Sequence, residues 1–229
     1  MFPTTRWTLI LESQRDAGAA NAALEQIAST YWRPLYLFLR RKGVESATAE
    51  DLVQGFFVQL LERPFVTRLD PGRGRLRSYL LTGLEHYRIN VHAKETAQRR
   101  GGGVRVLSLD VALAERDLAA ATEAPEAAYE REWALGVLER AQARLEEDYR
   151  AGRRSGRFET IRRFFGFDRA PSYAEAAAES EMTVVQFKAS LHRARARYRE
   201  LVREEIAATV DDPSDVDAEL GELLRTLGS

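Results

Sequence analysis

The sequence predicts an all-α chain of two small helical domains joined by a linker, and three observations carry that expectation. Apolar residues recur at three- and four-residue spacing along nearly the whole chain, no segment alternates with period two, and a glycine run followed by an alanine-rich acidic stretch separates two such regions. With 229 residues, 45% of them hydrophobic, the chain can bury one large core or two small ones.

The first apolar stripe is Leu24, Ile27, Tyr31, Leu35, Phe38 and Leu39, interrupted by Pro34, which is expected to kink or divide the helix, and closed by Gly43. Thr48-Ala-Glu-Asp51 reads as a second helix start with Thr48 at the N-cap. Val53, Phe56, Phe57 and Leu60 supply its buried face, and Pro64 stops it. Gly55 inside that helix costs about 1 kcal/mol relative to alanine. A loop from Leu69 to Arg75 leads into a third helix carrying Leu76, Leu80, Leu84 and Tyr87 on one side. Gly101-Gly-Gly103 ends this half, and residues 101–125 are expected to be a linker. A further helix runs from near Glu126 to Tyr149, with Trp133, Val137, Leu138, Ala141 and Leu145 inside. Gly152-Arg-Arg-Ser-Gly156 then turns the chain into Phe158, Ile161, Phe164 and Phe165. The expected organisation is therefore a domain over 1–100, a linker over 101–125, a domain over 126–205 and an acidic tail over 206–229. Leu220, Leu223, Leu224 and Leu227 give that tail two readings, a short amphipathic helix docked on the chain or a frayed end.

Ser172-Tyr-Ala-Glu175 and Thr183-Val-Val-Gln186 are two capping boxes. Between them there is room for about two helical turns and a tight corner, the spacing of a helix-turn-helix. The corner, Ser180-Glu-Met182, lacks the glycine that supplies a positive φ without strain. On the second helix Phe187, Leu191, Ala194, Tyr198 and Leu201 share one side, so Lys188, His192, Arg193, Arg195, Arg197 and Arg199 cover the rest. A helix of that shape suits a major groove, while a plain helical hairpin in a bundle has the same caps.

The formal net charge of −1 hides a strongly uneven distribution. One basic island runs from Arg68 to Arg105 and a second from Lys188 to Arg203, in an otherwise acidic chain. Such islands suit phosphate contacts, though solvated helix faces also carry arginine clusters. The absence of cysteine excludes disulfides, thiolate nucleophiles and cysteine zinc sites, and a reducing cytoplasmic setting is expected. No apolar run reaches the roughly 20 residues that a membrane crossing needs, and the stretch after Met1 lacks a signal peptide's apolar segment, so no membrane partner is expected and the mature chain should begin near Met1.

At this point the residues resemble the extracytoplasmic-function sigma factors, small promoter-recognition subunits of bacterial RNA polymerase in the sigma-70 superfamily. Tyr173-Ala-Glu-Ala-Ala-Ala-Glu with Phe187-Lys-Ala-Ser-Leu-His-Arg-Ala-Arg195 looks like that family's C-terminal helix-turn-helix. Ala49-Glu-Asp-Leu-Val-Gln-Gly-Phe-Phe-Val-Gln-Leu-Leu61 looks like its polymerase-binding helix, and Arg77-Ser-Tyr-Leu-Leu through Asn90 like its promoter-melting helix. The resemblance implies a region 2-like and a region 4-like domain, bacterial core RNA polymerase and promoter DNA as partners, and no cofactor. It implies that Lys188, Ser190, His192, Arg193, Arg195 and Arg197 read the duplex minus-thirty-five element. It places Arg73, Gly74, Arg75, Arg77, His86, Arg88 and Asn90 at the displaced minus-ten strand, where arginine can bind phosphate or stack on a base. Glu50, Asp51, Gln54 and Phe57 would meet the polymerase.

Two departures stand out. His86 occupies a position where the family commonly has asparagine, and Thr48 stands where it usually has aspartate. Phosphorylation of Thr48 by a serine/threonine kinase would supply the missing negative charge at a helix N-terminus, where it is favoured. An anti-sigma factor is a further candidate partner. Two other function classes compete: a helix-turn-helix regulator that binds duplex without the polymerase, which leaves the first hundred residues unexplained, and a nucleic-acid enzyme. Asp51, Asp70 and Asp110 form no recognisable metal-binding set, and His86, His92 and His192 lack metal-site spacing, so no catalytic activity is expected.

Overall fold

The computed structural model describes residues 17–62, 75–95, 111–120, 123–152, 155–166, 170–210 and 212–228. All regular structure among them is helical. In chain order the helices are α1 (Ala17–Arg41), α2 (Ser46–Glu62), α3 (Leu76–Glu95), α4 (Val111–Ala120), α5 (Pro125–Ala151), α6 (Ser155–Arg162), α7 (Tyr173–Glu179), α8 (Val184–Ala207) and α9 (Val216–Gly228). A 3₁₀ turn, Pro213–Asp215, precedes α9. None of the described helices is long and apolar enough to cross a membrane.

Two compact units emerge: Met1–Gly136 together with Ala207–Ser229, and Val137–Ile206. In the first, α1 packs against α2, α3 and α4, and α2 against α3. The apolar stripes anticipated from spacing fill its core: Ile27, Tyr31, Leu35 and Phe38 from α1, Val53, Phe56, Phe57 and Leu60 from α2, and Leu76, Leu80 and Leu84 from α3. Tyr129 and Trp133 of α5 are buried as well, and the Phe38 and Tyr129 rings meet edge to face at 6.4 Å. Pro34 does not divide α1, which runs through it at the expense of the hydrogen bond that the Thr30 carbonyl would otherwise accept. Gly43 ends α1 as expected, at φ 81°, with Gly43 N–H donating to the Arg40 carbonyl and Val44 N–H to that of Leu39, the two bonds of a Schellman motif. Gly55 has a steric role, since a Cβ there would overlap the Tyr87 hydroxyl arriving from α3.

Two expectations are corrected. The first helical bond of α2 is accepted by the Glu45 carbonyl, so Glu45 is the N-cap and Thr48 lies in the first turn. The stretch read as a linker contains α4, because its alanines favour helix and its contacts anchor it: Ala114 is buried, and the Glu115 carboxylate accepts from Arg40 at 2.6 and 3.0 Å and from the Tyr36 hydroxyl. Of the two readings of the C-terminal segment, the docked helix is the one that forms: α9 groups with the first unit, with Val216 and Leu223 buried. Full burial of such side chains stabilises by roughly 1.5–3 kcal/mol each, so only a few kcal/mol of apolar contact hold α9 in place.

The second unit is smaller. Ile161, Ala176, Ala177, Phe187, Leu191 and Ala194 form its core, bordered by Tyr149, Phe164, Phe165 and Met182. Its α7 is only seven residues long, too short to persist alone, and depends on its caps and on this core.

Candidate nucleic-acid interface

Both capping boxes form. Ser172 Oγ accepts from Glu175 N–H at 3.2 Å and Glu175 accepts from Ser172 N–H at 2.8 Å, hydrogen bonds that hold the Glu175 carboxyl below its usual range. Thr183 Oγ1 likewise accepts from Gln186 N–H at 3.2 Å, and Gln186 Oε1 from Thr183 N–H at 2.9 Å. The corner between α7 and α8 is a second Schellman motif: Met182 N–H donates to the Ala177 carbonyl at 2.9 Å and Glu181 N–H to that of Ala178 at 3.1 Å. The left-handed position falls on Glu181, at φ 54°. An exposed side chain is thus held where glycine is unstrained. Glu181→Gly is expected to raise the stability of the second unit by about 1 kcal/mol, measured as slower amide exchange across residues 173–194.

α8 turns Phe187, Leu191, Ala194 and Leu201 into the core, and the half-buried Tyr198 donates its hydroxyl to the Leu138 carbonyl at 3.1 Å. Burial raises the Tyr198 pKa to about 12, so it remains a neutral donor. Lys188, His192, Arg193 and Arg195 are exposed on the other faces, and Ser190 is half-buried. Among the described residues His192 and Arg193 have no hydrogen-bond or ion-pair partner. Lys188 Nζ lies 5.0 Å from the centre of the Tyr173 ring, which itself stacks on Phe164 with centroids 5.5 Å apart. Arg195 donates to the Phe164 carbonyl at 3.0 Å. Arg197 departs from expectation: its guanidinium is engaged by Asp148 at 2.9 Å, Glu204 at 3.3 Å and Glu200 at 3.4 Å, because acidic residues of α5 and α8 flank it. The first turn of α8 also exposes Val185 (78%), which sequence reasoning overlooks. The signal for it was present, since Val185 lies off the Phe187 and Leu191 stripe.

Residues assigned to the displaced strand separate into four groups. His86 and Asn90 are exposed on α3 and line a small pocket against Phe56, Gln59 and Leu60 of α2. Arg88 is half-buried and paired with Glu85 at 3.2 Å. Arg73 and Gly74 lie outside the described residues. Arg75 and Arg77 are not free: Arg75 pairs with Glu219 and Glu222 of α9. Arg77, expected on the surface, is 2% exposed, bonded to Glu130 at 2.6 Å and to Glu219, with its guanidinium 4.1 Å from the Trp133 ring centre. The facing acidic side chains, at i and i+3 on α9, are what sequence reasoning failed to connect with these arginines.

The four residues expected to meet a polymerase also divide. Asp51 is exposed and Glu50 half-buried, accepting from Gln54 Nε2 at 3.1 Å. Gln54 and Phe57 are buried, because the 53, 56, 57, 60 face of α2 fills the core, so a surface role for them is set aside. Thr48 is exposed, and its N–H and hydroxyl both donate to the Glu45 carboxylate, at 3.2 and 3.4 Å. The Ala47 N–H above all, and then these Thr48 bonds, hold Glu45 below its ordinary pKa. No protein-family model, no curated protein and no solved structure matches the chain.

Proposed function

We propose that this chain is a sigma factor of the extracytoplasmic-function type, which directs bacterial core RNA polymerase to promoters and helps to open them in the cytoplasm. The observation that carries the reading is α8: a capped helix, set behind a tight corner and a short helix, with an apolar face in the core and Lys188, His192, Arg193 and Arg195 exposed. Helix-turn-helix proteins place such a helix in the major groove with its first residues at base edges. Ser190 lies on the same helix, and Val185 adds an apolar surface suited to a thymine methyl group. In the first unit His86 and Asn90 offer polar contacts to unpaired bases, and Glu50 and Asp51 an acidic surface to the polymerase. The role is binding and positioning, with no chemistry of the chain's own.

Phosphorylation at exposed Thr48 is part of the proposal: a phosphate there would place negative charge in the first turn of α2, where the helix dipole favours it, and would break the hydroxyl's bond to Glu45 and repel that carboxylate. The experiment is run-off transcription with purified bacterial core polymerase on a genomic promoter library, using unmodified, Thr48→Ala and Thr48→Asp proteins. Specific initiation by at least one of them is expected. Duplex binding by all three with initiation by none would replace the proposal with a regulator that acts without the polymerase. Equal polymerase binding by Thr48→Ala and Thr48→Asp would dismiss the phosphorylation step alone.

A further inference from the structure

The pairing of α9 with the start of α3 is built from charges where apolar side chains would have sufficed. Glu219 and Glu222, one helical turn apart, project beside buried Val216 and Leu223 and engage both Arg75 and Arg77. Arg77 Nη2 also lies 3.2 Å from Glu222 Oε2. A carboxylate presents two anionic oxygens to a guanidinium much as a phosphate does. We infer that α9 is an acidic latch that occupies the phosphate-binding side of the Arg75 and Arg77 pair until single-stranded nucleic acid displaces it.

This inference deepens the reading above and takes the identity of the competitor from it. Three features make the exchange feasible. Arg75 and Glu222 remain 38% and 30% exposed, so a competing phosphate has an approach to the pair. Buried ion pairs roughly break even against solvation, and replacing carboxylate by phosphate around the same guanidinium preserves the pairing. The segment also carries Asp212, Asp215 and Asp217 besides Glu219 and Glu222, against Arg225 alone, so a bound polyanion repels the released helix and keeps it away.

The test uses the full chain, a single-stranded oligodeoxythymidylate as probe, and two readouts: fluorescence anisotropy for affinity and amide exchange across residues 216–228. Glu219→Gln/Glu222→Gln is expected to bind the probe at least tenfold more tightly than wild type, and adding Arg75→Gln to remove the gain. Saturating wild type with the probe is expected to speed exchange across 216–228. Unchanged exchange at saturation overturns the latch, as does probe binding by neither protein. If the double variant unfolds, exchange in wild type still decides. Transcription separates the two proposals. Specific initiation with α9 still protected keeps the promoter reading and rejects the latch; release of α9 by the probe with no initiation by any variant does the reverse.

Discussion

Arg77→Met is expected to destabilise the first unit by about 3–5 kcal/mol, the range for removing one partner of a buried ion pair. Glu130 and Glu222 are each about one-third exposed and can turn to water when the guanidinium goes, whereas Glu219 has side-chain exposure of only 2%. The cost is therefore dominated by a single stranded carboxylate, with a smaller loss from the contact with Trp133. Adding Glu219→Leu should recover most of it, because replacing a buried pair by apolar side chains is often neutral or better. Urea unfolding followed by tryptophan fluorescence isolates the effect, since Trp32 and Trp133 fall in the first unit and residues 137–206 contain no tryptophan. A change within about 1 kcal/mol for Arg77→Met would mean that Glu219 reaches solvent and that the cluster is not buried in solution.

Phe187→Ala is expected to abolish duplex binding by unfolding the second unit. Phe187 is fully buried, its ring 5.4 Å from Phe164 and in the cluster with Ile161, Ala177 and Leu191. Truncating such a phenylalanine costs about 3–5 kcal/mol, comparable with the whole stability of so small a unit. Amide protection across 173–206 should collapse while tryptophan fluorescence, which has no source in this unit, stays native. Arg193→Gln provides the contrast: protection unchanged, affinity for duplex reduced, and a salt dependence of binding shallower by about one phosphate's worth of counterion release. Retained protection in Phe187→Ala would show that the core closes without this ring.

The pair α7 and α8 with its tight corner was legible in the sequence because its information is local. Two hydroxyl-to-carboxamide or carboxylate spacings fix where α7 and α8 begin, and a four, three, four, three apolar rhythm fixes which side of α8 is buried. Even the strain at the corner could be anticipated, since a Schellman turn demands a left-handed residue and Glu181 was among the three available. The start of α2 misled because Thr48 is a residue type favoured at an N-cap, and only the hydrogen bonds to Glu45 show that the helix begins earlier. What sequence could not yield were long-range pairings. Nothing local tells Arg77 that Glu219 will sit beside it, or converts an alanine-rich acidic stretch into a helix anchored by Glu115 on Arg40. Phe57 illustrates a third kind of limit. Spacing identified it as core, and motif resemblance pulled it to the surface; the packing sides with spacing.

The ammonium of Lys188, poised over the phenol of Tyr173, sits in that ring's magnetic shielding cone. Its ε-methylene protons should therefore resonate upfield of those of a solvated lysine, and return toward ordinary positions if the proposed duplex contact draws the side chain off the ring. Titration of the unmodified protein with duplex would then read the proposed engagement of this helix spectroscopically and without a label.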